Sequence, residues 1–125
     1  MRTCFDRGQW DEGIALCSRA LESDPFATHA YYHRALALEQ IGKHDEGERD
    51  LRRVLYLDRN HALAHFQLGR LLIDVERRSE AAPLLRITSR LLANRPDAEP
   101  AGAESDLTVG ELRALLCIHT GKDEA

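Results

Sequence analysis

A repeat of 34 residues governs what this sequence can fold into: Asp11-Glu12-Gly13 returns as Asp45-Glu46-Gly47 and, in relaxed form, as Ser79-Glu80-Ala81. The same offset carries Gly8 onto Gly42, Cys17 onto Leu51 and Leu85, Ala20 onto Val54 and Thr88, and Leu21 onto Leu55. It also maps Tyr31 onto His65, Tyr32 onto Phe66, Ala35 onto Gly69 and Leu38 onto Leu72. A period of this size means that one supersecondary unit recurs, each copy burying its apolar face on its neighbours.

Each unit reads as two helices and a tight turn. Across Ala27 to Ile41 the apolar stripe is Tyr31, Ala35 and Leu38; Gly42 interrupts it, and Asp45 is expected to cap a second helix through Leu51 and Leu55 to Asp58. Small residues at Ala35 and Gly47, and at Gly69 and Ala81, mark where paired helices approach most closely. A glycine inside a helix costs about 1 kcal/mol relative to alanine, so Gly13 and Gly47 read as packing residues. The expected fold is all-α: a right-handed superhelix of antiparallel helical hairpins, with units at 1–26, 27–60 and 61–93. Arg59 and Ala93 depart from the pattern where Pro25 would recur, and Glu76 stands in place of the turn glycine. Pro83 predicts that the third unit's second helix starts late or bends, since proline suits only a first turn. A polar, proline-containing linker at 94–107 follows, then a capping helix at 108–121. There Thr108 and Glu111 have capping-box spacing, Gly121 ends the run, and Val109, Leu112, Leu115 and Leu116 form a stripe expected to cover Leu85, Leu91 and Leu92.

A helix-turn-helix unit of this length, with small residues at these places and Pro25 closing the first copy, resembles the tetratricopeptide repeat over about two and a half units of residues 1–93. Two further segments are more particular. Val54-Leu-Tyr-Leu-Asp-Arg-Asn-His-Ala-Leu-Ala-His-Phe-Gln-Leu-Gly69 and Leu107-Thr108-Val109-Gly110-Glu111-Leu112 are similar to the C-terminal repeat region of CheR-type chemotaxis protein-glutamate methyltransferases. That resemblance implies a bacterial chemosensory setting, in which an S-adenosylmethionine-dependent domain methylates receptor glutamates and the repeats recruit or regulate a partner. No glycine-rich loop after a strand and no GxGxxG is present, so neither methyltransferase activity nor a cofactor is expected of this chain.

Composition excludes other classes. The 125 residues are 43% hydrophobic and 30% charged with a net charge of −4, and no basic stripe suits a nucleic acid. Cys4, Cys17 and Cys117 lack CxxC pairing, which argues against a disulfide scaffold or a zinc site and fits a reduced cytoplasm. Nothing resembles a signal peptide or membrane span. His29 with His33, and His61 with His65, have one-turn spacing but no third ligand, so no metal is expected. Asp45 to Arg49 and Glu48 to Arg52 read as exposed ion pairs, and Cys17 as core, which leaves no catalytic residues.

The working surface is expected on the first helices of the units. His29, Tyr32, His33, Leu36 and Glu39 in one unit, and Leu63, Phe66, Arg70, Ile73 and Asp74 in the next, form a second face that lines an inner groove. Tyr32 and Phe66 are its aromatic anchors and Arg70 its charged selector for an extended or helical segment of a methyltransferase domain, a receptor tail or another signalling protein. Alternatively, the linker or the capping helix covers this wall, or the chain is a general scaffold that binds a peptide segment. Projecting the period backwards places Met1 midway along a first helix; the expectation is a fragment whose incomplete N-terminal unit favours homo-oligomers.

Overall fold

The computed structural model describes residues 7–102 and 105–121, and among these the chain is helical with no β-strand. The helices are α1 (Arg7–Ser23), α2 (Thr28–Gln40), α3 (His44–Leu57), α4 (Ala62–Asp74), α5 (Arg78–Leu92) and α6 (Val109–Leu116), followed by a π-helical turn at Cys117–Gly121. They fall into two compact units, Met1–Arg59 and Asn60–Ala125. In the first, α2 packs on both α1 and α3; in the second, α5 packs on α4 and α6.

The repeat survives at the level of backbone hydrogen bonds. After α2, Gly42 N–H donates to Glu39 O at 3.0 Å and Lys43 N–H to Leu38 O at 2.8 Å; after α4, Glu76 N–H donates to Ile73 O at 3.0 Å and Arg77 N–H to Leu72 O at 2.7 Å. Both are Schellman closures, which satisfy the last carbonyls of a helix by placing one residue in the left-handed region. Gly42 has φ +84° and Glu76 φ +65°, so the glutamate takes the glycine's conformation. A side chain there costs roughly 1–2 kcal/mol. Glu76→Gly is therefore expected to raise stability by about 1 kcal/mol and the melting midpoint by a few degrees. An unchanged or lowered midpoint in thermal unfolding would show that the strain is absent.

Several local expectations need correction. Gly8 is no turn residue; it lies in the first turn of α1. Asp45 does not cap α3, because Lys43 holds that position and Asp45 sits inside the first turn, where a carboxylate still favours the helix dipole. Pro83 does not delay α5, which begins at Arg78, the same offset from His44 that separates the other repeat positions. The exposed ring is accommodated inside the helix at the cost of the N–H that would bond Ser79 O. Of the two expected surface pairs, Glu48–Arg52 forms, at 2.9 Å. Gly69 does mark a close approach: an added Cβ would lie 2.8 Å from Leu85 Cδ2. Gly13, by contrast, has nothing within 4 Å of its would-be Cβ, and the residues that the period would place against it, with the expected N-terminal stub, lie outside those described.

Residues 94–107 do more than link. Val109 N–H donates to Glu99 O at 2.8 Å, Gly110 N–H to Asp97 O at 3.0 Å and Ala101 N–H to Leu107 O at 2.9 Å, which fold the segment back onto the start of α6. Thr108 and Glu111 form the full capping box. Arg113 then locks α6 to the end of α5: its guanidinium donates to Leu92 O at 2.5 Å and Arg95 O at 2.8 Å and pairs with Asp97. Leucines and valine complete the contact, with Leu92, Val109 and Leu112 fully buried and Leu115 half-buried.

Candidate functional site

The ten residues expected to line a groove divide by accessibility. On α2, His29 and His33 are exposed and Leu36 is half-buried, while Tyr32 (1% exposed) and Glu39 are buried. On α4, Asp74 is exposed and Arg70 and Ile73 are half-buried, while Leu63 and Phe66 (2% exposed) are buried. Tyr32 and Phe66 are thus core residues in this conformation, not anchors presented to a partner. The Phe66 ring and the imidazole of His119 meet edge-to-face at a centroid distance of 5.7 Å, so in the second unit the cover includes the turn after α6. Arg70 is held by Gln67 Oε1, at 2.6 Å from Nη2, and lies 3.6 Å from Asp74.

The histidine pairs also separate. His61 is the N-cap of α4, its Nδ1 accepting from Ala64 N–H at 3.1 Å. His65 is buried within α4. A ring nitrogen engaged as a cap is not available as a ligand.

Three features went unnoticed in the residue pattern. First, Arg34 joins three helices: Nε and Nη2 grip both carboxylate oxygens of Asp50 on α3 at 2.8 and 2.9 Å, and Nη1 donates to Ser18 Oγ on α1 at 3.1 Å. The Asp50 hydrogen bond chiefly, and its charge as well, push the Arg34 guanidinium above its ordinary pKa; nearby, burial raises that of the Cys17 thiol, against the opposing charge of Arg34. Second, Phe26 and Tyr56 stand 72% and 79% exposed, where large apolar rings are available to another protein. Both are departures from the repeat: the offset sets Phe26 against Asn60, and Tyr56 against Glu22 and Arg90. Third, a cavity of about 500 Å³ opens between α5 and the end of α6.

Known proteins resemble the chain in fold. Residues 28–61 match the tetratricopeptide repeat family model, a span that takes in α2, the Gly42 turn and α3. Among solved structures, the type III secretion translocator chaperone SycD of Yersinia enterocolitica has a TM-score of 0.74 at 14% identity, over 94% of this chain and 77% of that one. At such identity the likeness concerns the fold alone. No curated protein sequence matches. No described helix is long and apolar enough to cross a membrane.

Proposed function

We propose that this chain is a non-catalytic protein-recognition module, the partner-recruiting region of a chemosensory methyltransferase. The observation that carries the reading is Tyr56: it lies in the Val54–Gly69 segment similar to the CheR-type proteins, and it is 79% exposed on α3. Further along the segment, Ala64, His65, Phe66, Leu68 and Gly69 are buried in α4. Leu107 to Leu112 likewise builds the start of α6. Most of the similar residues therefore serve the fold, and Tyr56 is the one turned outward with an aromatic surface of the kind that dominates protein interfaces. In the first unit His29 and His33 are also exposed and Leu36 is half-buried; in the second Asp74 is exposed and Arg70 and Ile73 are half-buried.

A second reading, that the chain is a secretion chaperone, is favoured by the fold it shares with SycD. Calorimetric titration separates the two, using the S-adenosylmethionine-dependent domain of a chemosensory methyltransferase and, in parallel, a type III translocator. The first reading expects saturable binding to the methyltransferase domain that weakens at least tenfold in Tyr56→Ala, with helical circular dichroism unchanged. Binding to the translocator alone selects the chaperone reading, and an unaffected Tyr56→Ala complex removes Tyr56 as the anchor.

A further inference from the structure

The cavity of the second unit shares Ile73 with the expected groove, and its lining has one sign of charge. Its apolar floor includes Leu85 of α5 and Leu116 of α6, and its charged rim is Arg78 and Arg86, with His119 beside them and no carboxylate. Among the described residues the Arg78 and Arg86 guanidiniums make no ion pair or hydrogen bond, whereas that of the neighbouring Arg77 is clamped to Glu80 at 2.7 Å. A site that offers apolar contact in the middle and bidentate donors at its rim is complementary to carboxylates flanking an apolar group.

We propose that this groove docks an acidic segment of a partner protein, one apolar side chain seated on Leu85 and Leu116 and two carboxylates taken by Arg78 and Arg86. Spacing specifies the ligand further. Eight residues of helix separate the two arginines by roughly 12 Å along α5. A helical ligand then needs acids seven or eight residues apart, and an extended one needs them three or four apart, because a strand rises about 3.3 Å per residue. A volume of about 500 Å³ accommodates a few side chains, so the groove reads a short motif. Leu85 and Leu116 are 3% and 5% exposed, half-buried Ile73 adds accessible apolar surface to the same lining, and His119 meets the Phe66 ring.

Selection from a displayed library of random 12-residue peptides on the full chain tests this. The expected result is enrichment of Asp or Glu pairs at those spacings around a Leu, Ile or Phe, with affinity falling at least tenfold in the double variant Arg78→Ala/Arg86→Ala and on Glu→Gln exchange in the peptide. Both arginines are exposed, so the variant is expected to fold; as a second check, Arg78→Glu/Arg86→Glu is expected to shift the selected peptides to lysine pairs. Selected peptides without acidic enrichment, or with the same enrichment on the double variant, overturn the proposal. A tenfold gain in peptide affinity on removing residues 122–125 would overturn it differently, by assigning the groove to the chain's own Asp123 and Glu124.

Discussion

A chain ended at Ala93 is expected to melt far below the full-length protein and to lose cooperative unfolding in its second unit. Val109, Leu112 and Leu116 are 0%, 0% and 5% exposed. Burying each such side chain contributes roughly 1.5–3 kcal/mol, so their removal forfeits on the order of 5–8 kcal/mol, offset in part because the deleted residues no longer have to be ordered. The loss does not stop at the deleted atoms. Leu92, fully buried, would be uncovered, its carbonyl would lose the Arg113 guanidinium, and Phe66 would lose the ring of His119. A single domain is stable by about 5–15 kcal/mol, so a deficit of this size is enough to leave α4 and α5 frayed. Circular dichroism melting and amide exchange read this directly. If the shortened chain keeps its midpoint and the α5 amides keep their protection, α6 is an appendage, and the energetic role argued for it is wrong.

The repeat made the hairpins legible because helix, turn and small-residue positions are dictated by local backbone chemistry, which an offset in sequence preserves. The turn at Gly42 and a close approach at Gly69 follow from it, although the nearest atoms there belong to Leu85 rather than to the expected Ala81. Two kinds of feature escaped. Tyr32, Leu63 and Phe66 lie off the first apolar stripe, which on its own predicts a free face for them. A helix apolar on more than one side is more often buried on more than one side, and these three are 0–2% exposed. The second kind is where one unit departs from the others. Glu76 at a glycine position keeps the turn because the surrounding hydrogen bonds hold it there, and Phe26 and Tyr56 are exposed rings. In a repeated sequence, the positions that break the repeat carry what is particular to this chain. The cationic groove escaped for another reason: α5 and the turn after α6 meet only through the folding of residues 94–107, which no periodicity describes.

The largest such break is the Arg34–Asp50 pair. One offset further on, its two positions are Leu68 and Leu84, so a guanidinium and a carboxylate replace two leucines together. Each change alone puts a charge where the fold wants an apolar side chain; the two together make a bidentate bridge. Asp50→Leu is therefore expected to destabilise by about 3 kcal/mol, because Arg34 is left with no carboxylate. The estimate sits at the lower end for broken buried pairs since the Arg34 side chain remains 23% exposed and retains Ser18. Arg34→Leu is expected to cost more, because it leaves a carboxylate only 9% exposed without its partner and also releases α1 from its Ser18 contact. In that variant the Cys17 thiol loses the charge that lowers its pKa while Asp50 still raises it, so alkylation of Cys17 is expected to slow. The double variant Arg34→Leu/Asp50→Leu reproduces the leucine pair of the next unit. It is expected to come within about 1 kcal/mol of the parent protein or to exceed it, since replacing a buried ion pair with packed apolar side chains is often neutral or stabilising. Denaturant unfolding of the four proteins in a double-mutant cycle gives the coupling directly. Strictly additive losses would mean that the bridge contributes nothing beyond its separate side chains. Recovery in the double variant, with faster amide exchange in α1, would mean that the pair is kept for tying α1 to the α2–α3 hairpin rather than for net stability.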